Sequence, residues 1–185
     1  GYESGAEGID YEFNPDILIK NNENFDLNGH VISAIHTPGH MGNHVCFHYN
    51  RILFSGDHVM GWATSMVSPP YGDLTQFMAS CRLLESKEFV LLLPGHGDPV
   101  ESPRKRLKFL INHRLERESQ IKEAIKETPL TAIEITKIVY TDIDNSLIPA
   151  ATRNVFAHLI DLSERQQVDF LGEISETTKA NLKFN

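Results

Sequence analysis

Three side chains in this 185-residue sequence stand where an α/β sheet gathers its chemistry. His40 follows the turn Pro38-Gly39, Asp57 follows Ser55-Gly56, and His96 lies between Gly95 and Gly97. Each comes after an apolar run that reads as a strand, and site residues collect at the ends of neighbouring strands. Imidazole and carboxylate donors suit zinc or another first-row divalent ion. Any one of the three is weak evidence, because Gly-His-Gly also fits a plain turn. Together they predict a shared cation pocket. His30, His48, His113 and His158 lie in no glycine-bounded turn and are read as surface or satisfied core residues.

The elements that must position these groups follow from the apolar pattern. Residues 1–15 mix Gly, Glu, Asp and Asn and predict a loop. Ile17 to Ile19, Val31 to Ile35, Val45 to Phe47 and Ile52 to Phe54 predict short strands, with a turn at Tyr49-Asn50-Arg51. Residues 61–72 predict a surface loop. Asp73 is placed to cap a helix running to about Ser86, with Phe77, Leu83 and Leu84 on its apolar side. Phe89 to Leu93, an unbroken apolar run, predicts a fully buried strand ahead of His96.

After Pro103 the character changes. Leu107, Leu110, Ile111, Leu115, Ile121 and Ile125 predict the stripe of a long helix from about Arg104 to Glu127. Thr131 and Glu134 form a capping-box signal for a second helix. Pro149 opens a third, with Val155, Leu159 and Leu162 inward, and two apolar runs around residues 168–171 and 180–184 predict a hairpin. Helices followed by a hairpin suggest a winged-helix-like module, giving a division into residues 1–103 and 104–185.

Composition excludes several classes. The chain is 41% hydrophobic and 23% charged, the balance of a globular protein, and no apolar run is long enough to cross a bilayer. Its two cysteines, Cys46 and Cys81, sit within apolar patterns and are expected to be buried, which suits a cytoplasmic location. A net charge of −8 opposes attraction to nucleic acid or anionic lipid. Arg104, Lys105, Arg106 and Lys108 form the one dense basic cluster and are read as a solvated helix start. Residues 128–185 hold three Lys and two Arg against eight Asp and Glu, a net −3, where a groove-reading winged helix usually has the opposite sign. Duplex DNA and membranes are therefore not expected partners.

The motifs His36-Thr37-Pro38-Gly39-His40 with His44, Ser55-Gly56-Asp57 and Pro94-Gly95-His96-Gly97 resemble, in order and spacing, the last three metal motifs of the metallo-β-lactamase superfamily. His113-Arg114, the capped segment at Thr131 and the stretch from Asn154 to Leu162 resemble the winged-helix tail of its β-lactamase-like endoribonuclease branch. The resemblance implies an α/β fold, namely the C-terminal half of an αββα sandwich followed by a winged-helix-like module. It implies two zinc ions, with His40 completing a three-histidine site, Asp57 bridging both metals and the attacking hydroxide, and His96 binding the second. His44 is expected to support these ligands without binding metal itself. One departure is large. The family's earlier His-x-His-x-Asp-His motif has no match here, and His36, His40, His44 and His48 are spaced by fours instead.

Two functional readings follow. In the first, the intact parent is a metal-dependent, binuclear zinc hydrolase of ester, thioester or phosphodiester bonds, and this piece is inactive alone because half the ligands are missing. Its substrate is a small ester or thioester, or single-stranded RNA. In the second, the chain is a non-catalytic binding or regulatory module with a degenerate metal site. A start codon far upstream decides for the first reading, and a natural start near Gly1 for the second. The first residue is Gly rather than Met, as expected of a trimmed piece or of a tag scar. Loss of half a sandwich should also bare an apolar layer and promote homodimers.

Overall fold

A computed structural model describes residue 10 and residues 12–183. The predicted loop at residues 1–15 falls largely outside them. Five strands form the first sheet: β1 (Asn24–Leu27), β2 (His30–His36), β3 (Val45–Tyr49), β4 (Ile52–Gly56) and β5 (Leu91–Pro94), in that spatial order. The first four meander antiparallel, and β5 joins β4 in parallel after the helix α1 (Leu74–Glu85). Asn28 and Gly29 turn β1 into β2 with φ of +56° and +85°, the two left-handed positions that the tightest hairpins require.

The two faces of this sheet differ. Ile35 opposite Cys46, and Leu53 opposite Leu92, are buried beneath helices. α1 contributes Phe77, Cys81 and Leu84 to that core, and α2 (Pro103–Ala124) contributes Leu107, Leu110 and Ile111. On the other face a row runs Ala34, Phe47, Phe54, Leu93 across four strands, and Phe54 is 44% exposed. Ala34 is buried and Phe47 and Leu93 are half-buried, so the apolar layer expected of half a sandwich is bared only in part.

A second core lies at the far end of α2. Ile121 and Ile125 pack there against α3 (Ala132–Val139), α4 (Ile148–Glu164) and the hairpin of β6 (Val168–Phe170) and β7 (Ala180–Leu182). α3 begins with the full capping box: Thr131 Oγ1 accepts from Glu134 N, and the Glu134 carboxylate accepts from Thr131 N. α4 is buried nearly all round because it touches both cores, with Ala157 in the first and Val155, Leu159 and Leu162 in the second.

Several expectations need correction. Ile17 to Ile19 form no strand; all three are exposed, and the edge strand is β1, whose Asn-Phe-Asp-Leu has a weak apolar signal. Leu83 and Leu115 point outward. From Leu107 the helical period lands at i+7 on position 114, so Arg114 is 3% exposed and Leu115 45%. The run Phe89 to Leu93 is not fully buried, since only Leu92 is, and the bared face belongs to its neighbours. Residues 61–72 are irregular but not a free surface loop, because Ser65, Val67 and Ser68 are buried. Arg106 is not simply solvated: its guanidinium donates to the carbonyls of Met60 (2.7 Å) and Ala63 (2.5 Å). His158 is buried but not satisfied, as neither ring nitrogen has a partner.

Candidate metal centre

The parallel pair β4–β5 brings two of the predicted groups together. β4 ends at Gly56, whose φ of +50° turns the chain so that Asp57 leaves the strand end. Gly95 N donates to Gly56 O at 3.0 Å, tying the loop after β5 to that turn. A Cβ on Gly95 would lie 2.8 Å from Asp57 Oδ1, so glycine lets the His96 loop close over the carboxylate. His96 Nε2 then stands 3.6 Å from Asp57 Oδ2, with side-chain exposures of 70% and 37%. That is too long for a hydrogen bond. Asp57 Oδ1 is buried and has no partner. A zinc ion bound at about 2.1 Å to a nitrogen and an oxygen at a tetrahedral angle holds them roughly 3.4 Å apart. Oδ2 and the His96 nitrogen therefore have the spacing of two metal donors, and Oδ1 is the carboxylate oxygen left without a partner.

His40 stands on the neighbouring loop. Its Nδ1 lies 2.7 Å from the carbonyl oxygen of Met66, which can only accept, so Nδ1 carries the proton and Nε2 keeps its lone pair. Metal-binding histidines are usually oriented by such an outer hydrogen bond. His44 lies close by, with ring centroids 6.4 Å from His40 and 5.6 Å from His58. Its Nδ1 meets Thr37 Oγ1 at 2.9 Å, and its Nε2 faces Gly56, where a Cβ would come within 2.8 Å. Burial above all, and then the neighbouring His40, lower the His44 pKa to about 4. His58, fully enclosed against Phe77, is lowered to about 3, again first by burial. Both rings are neutral near pH 7.

Among the described residues, no three His, Cys, Asp or Glu side chains converge closely enough to hold a metal ion. The structure pairs Asp57 with His96 and leaves His40 apart. The imidazole and carboxylate groups are of a type that suits a divalent ion, and among the described residues they form no group of three.

Sequence reading missed the groups that hold this region in place. Ser65 Oγ donates to the backbone carbonyls of Asp57 and His58, the latter at 2.9 Å. Arg114 donates through Nη2 to Ser65 O and through Nη1 to Asn154 Oδ1 (2.9 Å), while Asn154 Oδ1 also accepts from Val67 N (3.2 Å). The guanidinium sits 5.3 Å from the Phe77 ring centroid. The signal was present in the i+7 spacing from Leu107, but the partners lie far off in sequence.

Comparison with known proteins gives the family. The family model described as the metallo-beta-lactamase superfamily matches residues 6–111, more than half of the chain. The chain belongs to the metallo-beta-lactamase superfamily. A second model, the beta-lactamase associated winged helix domain, matches residues 131–176. A beta-lactamase-like protein 2 homolog from Drosophila melanogaster is 34% identical over 150 residues, covering 79% of this chain and 50% of that protein. An atrochrysone carboxyl ACP thioesterase from Aspergillus fumigatus is 32% identical over 127 residues, covering 66% of this chain and 39% of that protein. A metallo-beta-lactamase family protein from Thermus thermophilus superposes with a TM-score of 0.79 at 22% identity, over 92% of this chain and 55% of the other. This metallo-beta-lactamase superfamily chain spans about half the length, or less, of the curated relatives it matches. The α/β fold and the winged-helix tail agree with the resemblance seen in the sequence. No helix among the described residues is long and apolar enough to cross a membrane.

Proposed function

We propose that the natural protein carrying this chain is a metal-dependent hydrolase of a small ester or thioester, with zinc as the metal. The observation that carries the reading is the pair Asp57 and His96, brought to adjacent strand ends with one carboxylate oxygen buried and unpartnered. His40, held by Met66 O with Nε2 free, is the third donor supplied by this chain. The remaining ligands come from residues beyond these, which fits relatives about twice as long. A bound divalent ion would make hydroxide available near neutral pH. This chain contributes the orientation: Ser65 and Arg114 fix the backbone at Asp57, and Gly56 and Gly95 let the loops close around it.

The thioesterase name of the Aspergillus fumigatus relative and the acidic tail both favour a small ester or thioester over RNA. Single-stranded RNA is the weaker substrate proposal, and pairing of two copies through the bared sheet face is the expected state of the isolated piece. The natural protein should lose thioester hydrolysis on chelation and in D57N, and recover it with added zinc after chelation only. Activity indifferent to both treatments would overturn the reading. The second reading, a module with a degenerate site, is favoured by the absence of a three-donor cluster among the described residues. Its signature would be a natural protein that binds a partner without binding metal.

A further inference from the structure

A cleft of about 450 Å³ opens between the two parts of the chain, and none of His40, Asp57 or His96 lines it. One wall is Met66 and Ser68, from the segment that follows Asp57. The other comes from the winged-helix module, with Ile133 at the start of α3 and Ile148, Pro149 and Ala150 at the start of α4. The size is within the roughly 300–1,000 Å³ typical of small-molecule clefts. Arg153 and Glu176 pair at 2.6 Å on its border, so these lining charges offset each other. The lining that remains is mostly aliphatic.

Two observations connect this cleft to a ligand at the candidate centre. Met66 belongs to both: its carbonyl accepts from His40 Nδ1 while the residue lines the cleft. Ser68, 8% exposed, carries a hydroxyl with no hydrogen-bond partner. That oxygen is closed off from solvent as it stands, so a ligand in the cleft meets it only after the side chain turns.

We propose that this cleft binds the apolar acyl chain of the substrate, with the winged-helix module serving as the wall that selects chain length. The proposal rests on the hydrolase reading above for the reacting end of the molecule. A nucleobase is disfavoured, since the module is acidic and no aromatic ring lines the cleft on which a base could stack.

The test uses S-alkyl thioethers of N-acetylcysteamine, from ethyl to decyl, which resist hydrolysis and so report binding alone. Titrated into this chain, they should show Kd falling by about fourfold per methylene until the cleft is filled. Two variants remove the slope by different means: I133E places a charge on the wall, and A150W fills the space. Both positions lie in the first turns of helices, and a thermal melt of each variant verifies folding. A flat series in the parent chain, or an unchanged slope in both folded variants, overturns the proposal. Displacement of the decyl ligand by oligouridylate also overturns it, in favour of RNA. If the slope stands while the natural protein hydrolyses no thioester, the proposed function fails and the cleft assignment survives.

Discussion

Replacing Arg114 by Met tests whether the buried guanidinium holds the loop after Asp57 or merely fills space. The side chain is 3% exposed, and its hydrogen bonds to Ser65 O and Asn154 Oδ1 go to neutral oxygens, with the Phe77 ring nearby. Two hydrogen bonds from a charged donor contribute about 1.5–3 kcal/mol each. Against this, methionine avoids the desolvation of a buried charge, which amounts to several kcal/mol in other proteins. The balance depends on what is left behind. Asn154 Oδ1 keeps Val67 N, but Ser65 O is orphaned beneath α2. A net loss of about 2–4 kcal/mol is expected, visible in urea titration as a lower midpoint with unchanged slope. R114K should recover little, because one ammonium replaces a fork that spans two acceptors in different segments. In the natural protein both variants should lower kcat more than they raise KM, since Asp57 is displaced with its loop. A variant as stable as the parent would refute the reasoning, showing that burying the guanidinium destabilises as much as its bonds stabilise.

Other outcomes follow from single sites. His158 is buried with both ring nitrogens unpaired, and its pKa is pushed well below 6.5, first by burial and then by Arg114. Between pH 6.5 and that lower value the unfolded state holds the proton that the native state lacks. Stability is therefore complete above pH 6.5 and falls with pH by up to about 1.4 kcal/mol per unit. H158L should remove one of the contributions to that slope in denaturant titrations from pH 7 to 5, where His44 and His58 still contribute theirs, and leave stability at pH 7 unchanged or higher. T131A removes the side-chain cap of α3 and should cost about 1 kcal/mol by the same method. G56A places a methyl 2.8 Å from His44 Nε2 at a φ of +50° and should destabilise by more than 1 kcal/mol, roughly.

Much of the fold was legible because burial is one-sided and periodic. Phe77 and Leu84 were read as the inner face of α1 and are buried there, with Asp73 at its start, while Leu83, read with them, is exposed. The hairpin β3–β4 and the capping box at Thr131 were equally plain. What failed depended on tertiary context. Ile17 to Ile19 have strand-like residues but no neighbouring strand to pair with. The polar β1 forms because its hairpin turn at Asn28-Gly29 sets it against β2. Arg114 was hidden because a charged residue inside an apolar stripe is explained only by distant carbonyl and amide oxygens. The site itself was half legible. Glycine-flanked polar residues at strand ends pointed to His40, Asp57 and His96, but spacing in sequence carries no distance between loops. The structure sets Asp57 beside His96, and His40 does not join them in a group of three donors among the described residues.

The central claim is that Asp57 and His96 are metal donors, and zinc stoichiometry measured on the natural protein tests it most directly. After exhaustive dialysis, bound zinc should fall on substitution in D57N and in H96A, while a surface control such as E88Q, at the opposite end of β5 from His96, keeps the full complement. Natural protein that carries no divalent ion, or that retains all of it in both D57N and H96A, would contradict the account.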